Sequence, residues 1–178
     1  GNIMLIHHVT RTNDISDNDG HPVTASVDAQ IQATVADLHK HGVGILPVCR
    51  DDGTLCGVIS ERDIMRGLAQ HGPAALEMTT GDLMTKDVVT CTNACSVKDI
   101  VDQMAANGFR HMPVVDGDKP VGVVSSKDVI AYLAERLSKK RIYFHVFLDL
   151  APDMIVDDQS EVIAFLDQPG SFGPDTSE

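Results

Sequence analysis

The sequence predicts a mixed α/β (α+β) chain made of two β-α-β-β-α repeats, with a strand and a helix added at the C-terminus. Three observations predict it. The phrase "GVISERD" at Gly57–Asp63 returns as "GVVSSKD" at Gly122–Asp128. With Pro47 set on Pro113, "VTASVDAQIQATVADLHKHGVGILPV" (Val23–Val48) lies over "VTCTNACSVKDIVDQMAANGFRHMPV" (Val89–Val114), so that Ile31, Val35, Leu38 and Gly42 fall on Val97, Val101, Met104 and Gly108. Within each copy the apolar spacing alternates between that of a strand and that of a helix. Self-similarity of this kind marks a repeated supersecondary unit. One unit of roughly sixty residues buries little surface alone, so the two copies are expected to pack on each other.

Taken in order, residues 1–21 form an N-terminal extension, 22–71 the first repeat, 72–138 a linker and the second repeat, and 139–178 a C-terminal extension. In "RTNDISDNDGHPVT" (Arg11–Thr24), Asp14, Asp17, Asp19 and Gly20 resemble a calcium loop, but no glutamate follows at the required distance; a flexible acidic turn is the plainer expectation. Val88-Val89-Thr90, with Val23-Thr24 in the matching place, is short and β-branched and reads as a brief strand. Val97, Ile100, Val101 and Met104 then recur at helical spacing, between Ser96 as cap and Gly108 as stop. "RHMPVV" is the next strand, "DGDKP" the turn and "VGVVS" the antiparallel partner. Pro113, and Pro47 in its place, require an edge position or one where the missing N–H is not needed. "SKDVIAYLAERL" is helical, with Val129, Ile130, Leu133 and Leu137 as its apolar stripe.

In the tail, "RIYFHVFLDL" alternates Ile142, Phe144, Val146, Leu148 and Leu150 like a strand, "SEVIAFLDQ" reads as a short helix, and "QPGSFGPDTSE" reads as disordered. Phe144, Phe147, Phe165 and Phe172, four of the five phenylalanines, lie there. That apolar surface packs back on the repeats, exchanges with a second chain or docks on a partner.

Composition narrows the functional classes. A hydrophobic fraction of 43% supports a real core, and no apolar run is long enough to cross a bilayer. The opening "GNIMLIHHVT" lacks the pattern of a secretory leader, so the expected location is the cytoplasm. Cys49, Cys56, Cys91 and Cys95 make no CxxC pair and read as reduced thiols; small residues in a strand and at a helix start explain Cys91 and Cys95 better than metal ligation. The histidines are scattered, and no metal site is expected. The formal net charge is −12, and eight of the acidic residues follow Arg141, the last basic residue. Such acidity argues against nucleic acid and anionic membrane as partners. No Walker loop, zinc motif or supported nucleophile set is visible, so neither an enzymatic role nor a catalytic cofactor is expected.

The repeated phrase sits at a strand-to-helix junction. Gly57 and Gly122 let another group approach the backbone closely. Ser60 and Ser125 stand at the N-cap, and Asp63 and Asp128 follow three residues later, so the plain reading of each is a capping box complementing the helix dipole. The functional reading is that each carboxylate accepts from the adjacent hydroxyls of a sugar. Finding Gly, Ser and Asp together twice, at equivalent places, favours a ligand site.

The ordered set "ILPVCRDDGTLCGVISERD" and "HMPVVDGDKPVGVVSSKD", with the opening "GDLMTKDVVT" (Gly81–Thr90), resembles a tandem pair of CBS domains, the repeat first known from cystathionine β-synthase, over about Pro22 to Leu137. The resemblance implies two repeats related by a pseudo-two-fold, clefts between them, a homodimer, and regulation by an adenosine-containing ligand: AMP, ADP or ATP first, S-adenosylmethionine or NAD next. By the same resemblance Asp63, Asp128, Ser60 and Ser125 hold ribose, and Val23, Thr24, Val88, Val89 and Thr90 line the adenine slot. Arg110 and His111, just before the second strand proline, would serve phosphate, with Lys127, Arg62 and Lys86 as further candidates; Arg66 is expected to be plain surface charge. Met112, Pro113 and Pro47 would complete the clefts. The first repeat has Gly44 and Ile45 where the second has Arg110 and His111, so the two clefts are expected to differ. Binding would shift the repeat or dimer geometry that a mate or a regulated protein reads. The alternative is an interaction module with empty clefts that acts through its aromatic tail.

Overall fold

The computed structural model describes residues 21–139. The acidic turn of the N-terminal extension and the strand, helix and disordered end expected after Lys139 lie outside the described residues. Within them the elements are β1 (Ala25–Ser26), α1 (Ile31–His41), β2 (Ile45–Cys49), β3 (Leu55–Ser60), α2 (Glu61–His71), a 3-10 turn (Gly72–Glu77), α3 (Thr80–Leu83), α4 (Val97–Asn107), β4 (His111–Asp116), β5 (Lys119–Ser125) and α5 (Ser126–Lys139). Among the described residues no helix is long and apolar enough to cross a membrane. By proximity the chain divides into two compact units. One holds the described chain up to Thr90 together with Pro113–Val123; the other holds Cys91–Met112 and the described chain from Val124 to Lys139.

In the first unit β2 is the middle strand of a three-stranded sheet. It pairs in parallel with β1 at Ala25↔Val48 and Ser26↔Cys49, and antiparallel with β3 from Ile45↔Ser60 to Cys49↔Leu55. Pro47 opposes Val58 on β3. Because β1 flanks β2 only from Val48 on, β2 is an edge on that side at Pro47, where a missing N–H is tolerated. The helical spacing of α1 puts Ile31 and Leu38 into a core with Leu46, Val48, Ile59 and Ile64, and Val35 packs on its margin. Gly42 ends α1 with φ 64°, a left-handed conformation that glycine reaches without a Cβ penalty.

The sequence did not foresee the 3-10 turn or α3. Thr79 caps α3 in a reciprocal box with Asp82, and Thr80 is wholly buried, its hydroxyl 2.7 Å from that of Thr34. Two expected strands are corrected. Val88-Val89-Thr90 lies in no regular strand, and the first-repeat strand falls at Ala25–Ser26 rather than at Val23-Thr24. The reason is pairing: β1 exists only where β2 offers it a ladder.

In the second unit, Ser96 caps α4 by accepting from the Asp99 N–H, and Gly108 ends it at φ 70°. Val97, Ile100 and Met104 of α4 are buried, as are Val129 and Leu133 of α5, while Val101 and Ile130 are half-buried. Leu137 has no described side-chain environment. The β4–β5 turn, which belongs to the first unit, is tighter than "DGDKP" suggested: only Gly117, at φ 63°, and Asp118 separate the two strands.

Candidate functional site

Both copies of the repeated phrase form the capping box that their spacing predicts. In the first, the Ser60 N–H and the Ser60 hydroxyl each donate to Asp63 Oδ2 at 2.9 Å, and the Asp63 N–H donates back to Ser60 Oγ at 3.3 Å. The other oxygen is also engaged. Asp63 Oδ1 accepts from Arg66 Nη2 at 2.6 Å and from the Thr85 hydroxyl at 3.1 Å. Asp63 is only 4% exposed. Sequence reasoning took Arg66 for surface charge; its place three residues past Asp63 was the available signal. Nothing in the sequence pointed to Thr85.

In the second copy, the Ser125 N–H donates to Asp128 Oδ2 at 3.0 Å and the Asp128 N–H donates to Ser125 Oγ at 3.1 Å. Both residues are half-buried. The Arg110 carbonyl accepts from the Ser126 N–H at 2.9 Å and from the Ser126 hydroxyl at 3.4 Å, which ties the start of β4 to the start of α5. Arg110, His111, Ser125 and Asp128 therefore share one neighbourhood. The charges there act on the His111 ring. Burial of the His111 ring is the largest influence and pushes its pKa below the ordinary 6.5; Asp128 pulls it up, and Arg110 pushes it further down. The residue as a whole still reaches solvent. Lys127 is exposed next to Asp128.

The glycines of the two phrases differ as well. A Cβ on Gly57 would lie 2.7 Å from Met84 Sδ and 2.7 Å from the Thr85 carbonyl, so the group that approaches Gly57 is the protein's own chain. At Gly122, among the described residues, nothing comes within 4 Å of such a Cβ.

The other predicted residues are more dispersed. Val23 packs against the core of the first unit, and the Thr24 side chain hydrogen-bonds the Cys49 thiol. Val88 is half-buried, Val89 is 41% exposed and Thr90 is exposed. Pro47 and Pro113 are buried and Met112 is 1% exposed, so none of the three presents a surface of its own. Arg62 is exposed on the first turn of α2. Lys86 stands apart from the Ser60 cap: it lines an open cleft of about 840 Å³ with Val27, Arg50, Asp52 and Cys56, toward the opposite end of β3. No group of three or more potential metal ligands occurs among the described residues. The second phrase, then, brings an acidic acceptor, a hydroxyl, an imidazole and Arg110 into one neighbourhood, a set suited to a sugar bearing an anionic group. In the first, the four described donors to the carboxylate are all protein groups.

Comparison with known proteins bears on both phrases. The CBS-domain family model matches residues 14–70 and again 81–135. The chain is 32% identical over 111 residues to the uncharacterized protein MJ1225 of Methanocaldococcus jannaschii; the match covers 62% of this chain but only 39% of that protein. Among solved structures, the CBS-domain protein ATU1752 from Agrobacterium tumefaciens aligns with a TM-score of 0.63 at 27% identity, covering 74% of this chain and 94% of the other. The CBS domain pair of protein MJ0100, solved in complex with 5′-methylthioadenosine and S-adenosyl-L-methionine, aligns with a TM-score of 0.63 at 26% identity, covering 76% and 99%.

Proposed function

The chain belongs to the CBS-domain family, and from that premise we propose that it is a regulatory module that binds an adenosine-containing ligand at the second copy of its repeated phrase. The observation that carries this reading is the shared neighbourhood of Ser125, Asp128, Arg110 and His111. The complex of the MJ0100 domain pair with two adenosine compounds supports the ligand class. In this reading Asp128 accepts from ribose hydroxyls and Ser125 stands beside the sugar. Arg110, His111 and Lys127 face the group carried on the 5′ position, a phosphate in AMP or a sulfur-borne chain in S-adenosylmethionine. Ligand binding then shifts the population of conformations that a dimer mate or a regulated protein reads.

A melting series tests this against AMP, ADP, ATP, S-adenosylmethionine and NAD. A ligand at a hundredfold excess over Kd stabilises the protein by about 2.7 kcal/mol. Asp128→Asn keeps an oxygen that can accept in the cap but loses the anionic acceptor, so it is expected to fold and to lose most of the shift. A full shift in Asp128→Asn, or no shift with any of the five ligands in the wild type, refutes the reading.

A further inference from the structure

Gly57 and Asp63 open and close the first copy of the phrase, and both meet the same short piece of chain, Met84-Thr85. At Gly57 there is clearance for that piece only because the residue lacks a Cβ, which would stand 2.7 Å from the Thr85 backbone. Between the two, Val58 and Thr85 exchange backbone hydrogen bonds, with the Val58 N–H donating at 3.0 Å and the Thr85 N–H at 2.9 Å, as an isolated antiparallel bridge. At the far end the Thr85 hydroxyl donates to Asp63. Clearance, a ladder rung and a carboxylate therefore act on one two-residue segment.

The same carboxylate has no capacity left. It accepts from the Ser60 N–H, the Ser60 hydroxyl, Arg66 and Thr85, two donors on each oxygen, which is the full complement of a carboxylate. Its side chain is 6% exposed while that of Arg66 is 51% exposed, so the guanidinium covers it from the solvent side. An incoming diol would have to displace Thr85 or Arg66.

We propose that the first copy of the phrase is a binding site for the protein's own chain. Asp63 is a positioning residue that latches the segment opening the second repeat onto β3, and it is not a sugar ligand. The latch does not depend on the ligand reading above.

The test is amide hydrogen exchange on the ligand-free full chain. Thr85 is exposed, so Thr85→Val is expected to fold; it deletes the hydroxyl and keeps the backbone rung. Exchange at the residue 85 and Val58 amides is expected to quicken about fivefold or more, the effect of losing one hydrogen bond to a charged acceptor. Valine favours strand pairing more than a flexible segment does, so propensity alone would slow exchange rather than speed it. Thr85→Ser restores a hydroxyl and is expected to return both amides close to the wild-type rate. Thr85→Val exchanging like wild type, or Thr85→Ser exchanging as fast as Thr85→Val, overturns the latch. A titration with AMP separates the two proposals. Asp63→Asn is expected to keep the melting shift, and its loss there would make Asp63 a ligand group after all. No shift in the wild type with AMP or any of the other four ligands would sink the adenosine reading while the exchange result stands.

Discussion

A carboxylate offers two oxygens, and in the two aspartates of the repeated phrase one of them has the same task. Each gives Oδ2 to the cap of its own helix. Asp63 gives Oδ1 to Arg66 and Thr85, whereas Asp128 sits beside an imidazole whose pKa it raises against the pull of burial. His111 carries a pH prediction of its own. Its folded pKa lies below the ordinary 6.5, so the folded state favours the neutral ring and the unfolded chain binds the proton more readily. The stabilising contribution is therefore complete above the unfolded value and is lost as pH falls through the folded one. Melting temperature from about pH 7.5 to 5 is expected to fall less steeply in His111→Gln than in the wild type. Parallel slopes in the two proteins would show that the ring does not titrate on unfolding.

Among the elements, the helices were legible because their signals are local. Stripes at three- and four-residue spacing placed the buried faces of α4 and α5, and Ser60, Ser96, Gly42 and Gly108 stand at the helix ends that they mark. The 3-10 turn and α3 were missed, although "TTGD" at Thr79–Asp82 carries the Thr-x-x-Asp of a capping box. The buried end of α3 has a defined polarity. Thr80 donates its one hydroxyl proton to the Ala29 carbonyl at 3.0 Å, so Thr34 is the donor in the 2.7 Å contact between the two hydroxyls. Thr80→Val leaves the Thr34 hydroxyl without its acceptor and is expected to cost about 1–3 kcal/mol in urea unfolding. Thr34→Val leaves the Thr80–Ala29 bond intact and is expected to cost less; the reverse order would mean that the donor runs the other way.

For the molecule as a whole, burial turns one cysteine into a reporter of unfolding. Desolvation, with Cys95 close by, pushes the Cys91 thiol up to about 12. Near neutral pH it holds about a thousandfold less thiolate than an ordinary thiol, so alkylation at Cys91 is expected to follow unfolding of the protein around it. Labelling with iodoacetamide across a urea series, read by mass spectrometry, checks this; fast labelling of Cys91 in native conditions would contradict its burial. The duplicated architecture, the caps and the candidate set at Arg110, His111, Ser125 and Asp128 could all be read from the chain alone. The architecture and the caps rest on neighbours within a few residues or on a pattern repeated in register, whereas Arg110 and His111 were singled out by the family resemblance. What Asp63 does could not be read that way. Its deciding partner, Thr85, stands 22 residues away, beyond a turn and a short helix that no periodicity announced. The same words in both repeats guarantee the same cap, because a cap is local. They do not guarantee the same use of the second oxygen, because that depends on which distant segment folding brings against it.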